Sequence, residues 1–115
     1  MNEIQAISQK IRKFRDERDW KQFHNHKDVA LSLVLEAAEV LEHFQWKSPA
    51  EVDRHAETCK DEISDELADV AVYLFELADN LGIDLSQAID RKMKKNAQKY
   101  PIEKAKGRHT KYDRL

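Results

Sequence analysis

Glycine and proline are scarce in this chain, two of each in 115 residues. Long β-branched runs are missing as well, so the expectation is long helices with little punctuation. Cysteine is scarcer still: Cys59 stands alone, which excludes an internal disulfide framework and suits a reducing cytosol. No apolar run approaches the roughly 18 residues of a membrane span. The first residues, MNEIQAISQKIRKF, alternate apolar with polar or charged side chains, so no signal peptide is expected and a cytoplasmic location follows. An excess of one charge is also lacking. Charged residues make up 37% of the chain, yet the formal net charge is −2, a balance that argues against a general nucleic-acid or membrane-surface binder. A chain this short makes one domain, burying only about two thirds of its unfolded surface around a single modest core.

The few breakers divide what is there. Ile4, Ile7, Ile11 and Phe14 recur at helical spacing and mark a first amphipathic helix. The stretch DERDWKQFHNHKD interrupts it as a loop. Asp28 is the expected cap of a second helix running to about Phe44. Ser48, Pro49 and Glu51 form a capping box that opens a third helix, which Gly82 ends. Asp84, with Gln87 three residues later, caps a fourth, and Tyr100-Pro101 stops it. The expected organisation is therefore an all-α bundle of four to five helices over residues 1–101, followed by a basic tail, 102–115, extended or disordered unless a partner holds it.

Lysine and arginine are absent from two particular stretches, 29–41 and 61–90, and both carry acids. Glu36 stands three before Glu39, and Glu66 three before Asp69. On the third helix Ile63, Leu67, Val70, Leu74, Leu77 and Leu81 make an apolar seam. One residue earlier in each case run Glu62, Glu66, Asp69, Tyr73, Glu76 and Asn80, a polar stripe about 100° around the helix. The second helix repeats the arrangement with Ser32, Glu36, Glu39, His43 and Trp46. A solvated acidic face normally finds basic partners one turn away, and none is in reach here. If the two helices pack side by side, four uncompensated carboxylates converge, repel and require cations. Hard oxygen donors without thiolate or a set of imidazoles suit Mg²⁺, or Mn²⁺, and magnesium commonly shares its shell with substrate phosphates. A di-iron carboxylate bundle needs Glu-x-x-His, which does not occur. His24 and His26 lack further ligands at zinc spacing. His43 lies on the acidic stripe one turn from Glu39, either as a donor to the acids or as a plain surface residue. Cys59 reads as a small apolar residue within the third helix.

Taken together, LEAAEVLEHFQW, DELADVAVYLFELADNLGIDL and KMKKNAQKYP resemble the MazG-like superfamily of all-α nucleoside triphosphate pyrophosphohydrolases, within it the small single-domain dCTP pyrophosphatase branch. The resemblance covers roughly residues 10–101 and rests on the paired acid motifs with RDWKQFH before them and K-x-x-x-N-x-x-K-Y-P after. It implies Glu36, Glu39, Glu66 and Asp69 as catalytic Mg²⁺ ligands, with Glu39 a candidate acceptor of a water proton. It implies Trp20, His24, Trp46 and Tyr73 as the base and sugar pocket, and Lys92, Asn96 and Lys99 as phosphate contacts. Lys99 stands where some relatives carry arginine, which replaces a two-pronged fork with a point charge. The implied reaction cleaves a (deoxy)nucleoside triphosphate, dCTP or a modified analogue, between its α and β phosphates, in a homodimer or homotetramer. Two other readings stay open: a non-enzymatic helical interaction module with solvated acids, and a nucleotide binder that has lost catalysis.

Overall fold

A computed structural model describes residues 1–115 as six α-helices and two 3-10 turns, without strands. The helices are α1 (Glu3–Glu17), α2 (His26–Glu42), α3 (Pro49–Thr58), α4 (Lys60–Asn80), α5 (Leu85–Lys99) and α6 (Ile102–Ala105). They fall into two compact units, Met1–Gly82 and Ile83–Leu115.

In the first unit α4 is the central element, packed against both α2 and α1. Side-chain pairings fix the directions. Arg12 grips Asp79 through two guanidinium nitrogens at 3.0 and 2.7 Å, and Arg15 further along α1 reaches Glu76 earlier on α4, so α1 and α4 are antiparallel. Along α2, Ser32 meets Tyr73, Glu36 faces Asp69 and His43 touches Glu66. That reversed order makes α2 antiparallel to α4 as well.

Local chemistry accounts for most helix ends. α1 opens with a capping box, in which the Asn2 side chain accepts from the Gln5 amide and the Gln5 side chain accepts from that of Asn2. Ser48 and Glu51 form the same device at α3, with Pro49 at the first helical position. Ser48→Ala is expected to cost about 1 kcal/mol in urea unfolding; an unchanged midpoint would mean that this cap does not stabilise α3. Gly82, at φ +67°, takes the left-handed conformation that closes α4.

Three expectations are corrected. The α2 cap is Asn25, whose side-chain oxygen accepts from the Asp28 amide at 2.9 Å, so Asp28 sits inside the first turn. The Asn25 side chain in turn donates to the Asp28 carboxylate, which holds that carboxyl below its usual range. The expected third helix is two helices broken at Cys59, at φ −114° and ψ 29°. No glycine or proline marks the break; instead the Thr58 hydroxyl donates back to the Arg54 carbonyl at 3.1 Å, a bond that competes with the helical ladder. Cys59 is thus a half-buried junction residue, not a residue within a helix. The third correction concerns the faces. Of the apolar seam Ile63, Val70 and Leu77 are half-buried but Leu67, Leu74 and Leu81 are exposed, and of the polar stripe Glu66, Tyr73, Glu76 and Asn80 are half-buried or buried while Glu62 and Asp69 are exposed. Among apolar residues only Val29 and Ala78 are buried.

The second unit holds α5, capped by Asp84 through the Gln87 amide, and the residues after it. These are not extended: α6 is followed by a 3-10 turn at Tyr112–Arg114. Tyr112 packs edge-on to Tyr100 at 6.0 Å, and the Lys99 ammonium sits 4.7 Å above the Tyr112 ring. These contacts hold the tail within its own unit.

Candidate active site

Two short motifs on antiparallel helices bring the four acids together. Glu36 and Glu39 lie one turn apart on α2, Glu66 and Asp69 one turn apart on α4, and the pairing of Glu36 with Asp69 sets the halves face to face. Burial, then the adjoining Glu39 carboxyl and the charges of Asp69 and Glu66, push the Glu36 carboxyl above its usual range. One Glu36 oxygen, Oε2, is enclosed with no hydrogen-bond partner. A buried polar atom left unpaired in this way is costly, and here it marks an unfilled electrostatic requirement.

Glu66 is oriented from its other side. Its Oε2 is enclosed without a well-aligned hydrogen bond but is in contact with His43 Nε2, and His43 Nδ1 lies 2.7 Å from His55 Nε2 on α3. One set of neutral tautomers satisfies the row, with His55 Nε2–H donating to His43 Nδ1 and His43 Nε2–H directed at Glu66. His43 is thus not a plain surface residue: it is half-buried between Glu66 and His55. His55 carried no signal, because a break at Cys59 could not be read. Glu39, Glu42, His43, Lys47, His55 and Glu66 line an open cleft of about 190 Å³.

Oxygen donors of this kind fit a hard divalent cation better than zinc or iron. As placed, no three His, Cys, Asp or Glu side chains close around one ion position. Glu66 is turned towards His43.

Beside the acids, the Tyr73 phenol is raised above its usual range by burial and by Glu36, Asp69 and Glu76, so it stays protonated and can donate. Trp20 and His24 share the loop between α1 and α2. Asp19, at φ +53°, turns the chain there in a conformation that Asp tolerates better than most residues. The Trp20 amide donates to the Arg15 carbonyl, and the Trp20 ring lies 6.1 Å from His24 and edge-on to Phe14. His24 is bound to α4 through Glu76 at 2.7 Å. Glu76 stood on the polar stripe, yet nothing in the stripe set it apart from its solvated members. Trp46 is not brought to the acids within one chain: it is 93% exposed and held at φ +64°, uncommon for a bulky residue. Lys92, Asn96 and Lys99 lie in the second unit on one face of α5.

An all-helical chain with an acidic cleft between two antiparallel helices is thus defined, and the MazG-like family matches it over residues 31–115. The chain belongs to that family. Particular relatives are dCTP pyrophosphatase 1 of Rattus norvegicus, 42% identical over 104 residues, and that of Homo sapiens, 38% identical over the same length. Each match takes in 89% of this chain but 61% of the relative, so the chain spans less than two thirds of their length. A solved pyrophosphatase from Archaeoglobus fulgidus superposes with a TM-score of 0.83 at 40% identity, over 88% of this chain and 94% of that one. No helix is long and apolar enough to cross a membrane.

Proposed function

We propose that this chain is a Mg²⁺-dependent nucleoside triphosphate pyrophosphohydrolase, which cleaves dCTP or a related modified deoxynucleotide between the α and β phosphates to the monophosphate and pyrophosphate. One observation carries the reading: Glu39, Asp69 and Glu66 all act on the half-buried Glu36 carboxyl, whose Oε2 is enclosed without a partner, and no lysine or arginine forms an ion pair with any of the four. The pyrophosphatase names of the relatives support it.

Glu36, Glu39, Glu66 and Asp69 would hold the metal. When bound, Mg²⁺ neutralises phosphate charge and acidifies a water. The protein's own groups do the rest. Glu39, the more open acid of its pair, accepts the water proton. Tyr73 donates a hydrogen bond from a phenol kept protonated by its neighbours. The Trp20 ring offers a stacking face for the base, and His24 a polar edge beside it. Lys92 and Lys99 offset charge on the leaving pyrophosphate and Asn96 donates to a phosphate or the sugar. The exposed leucines of α2 and α4 support a homodimer or a dimer of dimers, in which Trp46 is available to the site of a second copy.

The test is a panel of canonical and modified deoxynucleoside triphosphates with Mg²⁺, the products resolved chromatographically. Pyrophosphate and monophosphate are expected from cytosine nucleotides, with chelator abolishing turnover. Inorganic phosphate as sole product would place the cleavage elsewhere, and turnover indifferent to chelator would remove the metal from the reading.

A further inference from the structure

Arg15 and Glu76 are the most deeply buried charged residues of the chain, 4% and 3% exposed. A buried ion pair is weak evidence for stability as such, because desolvation offsets much of its attraction, and this one does more than pair. Glu76 Oε2 is 3.4 Å from Arg15 Nη1 and 2.7 Å from His24 Nδ1, so its shorter contact is to the imidazole. Arg15 is fixed in turn: Nη1 donates to Asn80 Oδ1 at 2.9 Å and Nε to Asp16 Oδ1 at 2.9 Å. The carboxylate therefore has little freedom to leave His24.

A carboxylate oxygen only accepts, so the 2.7 Å contact puts the proton on His24 Nδ1. In that tautomer Nε2 is an acceptor, the opposite of its role in the commoner tautomer of a free imidazole. The His24 side chain retains 23% of its exposure, beside the Trp20 ring. We propose that Glu76, clamped by Arg15, is a positioning residue that sets the His24 tautomer and presents Nε2 as a hydrogen-bond acceptor to the nucleoside part of the substrate. The inference rests on the assignment of His24 and Trp20 to the nucleoside pocket.

The experiment uses the full chain with His24→Ala, Glu76→Ala, Glu76→Gln and Glu76→Asp. It reads ¹⁵N NMR of the histidine ring without substrate, and KM and kcat with dCTP and Mg²⁺. The parent protein is expected to carry the Nδ1–H signature at His24. Glu76→Ala shifts it towards Nε2–H and raises KM about tenfold, the scale of one lost hydrogen bond, with a smaller fall in kcat. Glu76→Gln, whose amide oxygen still accepts from Nδ1–H, recovers most of the KM. Should Glu76→Ala fail to fold, Glu76→Asp keeps a charge for Arg15 but withdraws from His24, and the same signature decides. A parent protein with Nε2–H at His24, or Glu76 variants that lose stability and kcat while tautomer and KM hold, overturns the inference. If His24→Ala leaves KM unchanged, the pocket assignment fails instead; a raised KM in His24→Ala with no effect of Glu76 sinks the positioning role alone.

Discussion

Glu36→Gln and Asp69→Asn are each expected to lose more than about a hundredfold of Mg²⁺-dependent dCTP hydrolysis, the scale seen when an electrostatic group of an active site is removed. Without metal at neutral pH, Glu36→Gln should nevertheless melt higher than the parent protein. Both results follow from one geometry. The Glu36 carboxyl is pushed up by burial and by Glu39, Asp69 and Glu66, so the folded state binds its proton more tightly than the unfolded chain does. The stability linked to that proton is present below the ordinary carboxyl range and is lost as pH rises through the folded value. The metal-free protein should therefore gain stability from Glu36 on acidification, against the general acid weakening caused by lowered carboxyls such as that of Asp28. In Glu36→Gln this component disappears and the profile above the ordinary carboxyl range flattens. Mg²⁺ should raise the melting temperature of the parent protein and do so less in the variant. Hydrolysis surviving every single substitution of the four acids would put the active site elsewhere; a parent protein whose melting temperature without metal is unmoved by Glu36→Gln would mean that the acids do not strain the fold.

Leu35→Asp is expected to convert an assembled protein into a monomer without a cooperative melting transition. Val34 and Leu35 on α2 are 63% and 56% exposed in the single chain, and Leu31 and Leu41 are similarly bare. On α4, Leu67, Leu74 and Leu81 are exposed as well. A large number of bare apolar side chains on two neighbouring helices is what a partner surface would cover. With only Val29 and Ala78 buried among apolar residues, the single chain lacks the core that offsets its conformational entropy. Burying each exposed leucine in a partner contributes about 1.5–3 kcal/mol, so several together supply what one chain does not. A charge placed among them removes that contribution and adds a desolvation cost. Sedimentation equilibrium with calorimetry of parent and variant checks the expectation. A parent protein that is monomeric and still melts cooperatively would refute it, as would a Leu35→Asp variant that stays assembled.

Much of this was legible in the residues. Scarce glycine and proline, the Ser48 and Asp84 caps and the Gly82 stop gave the helical class and most boundaries, because caps and breakers act within a few residues of themselves. The acid pairs were legible because a spacing of three fixes one helical face, and the missing lysines and arginines made them anomalous. Where the reading failed, the deciding contact was either a choice between two near neighbours or a pairing far away in sequence. Asn25 displaced Asp28 as a cap by one turn, a competition between two good capping residues. The break at Cys59 carries no composition signal, and without it the row from His55 through His43 to Glu66 could not be foreseen.

By itself, then, the sequence determined the helical class, the faces of the main helices and the membership of each acid in a stripe, since periodicity divides a helix into faces. Only the tertiary structure decided which face turns inward. Periodicity says that two sides of α4 differ, not what covers them. Within one chain part of the polar stripe is covered, by α2 at Tyr73 through Ser32 and by α1 at Glu76 through Arg15, and half of the apolar seam, Leu67, Leu74 and Leu81, is left bare. Long-range pairing also singled out Glu76 from its stripe, because the burial of a charge depends on the partner that another helix brings to it.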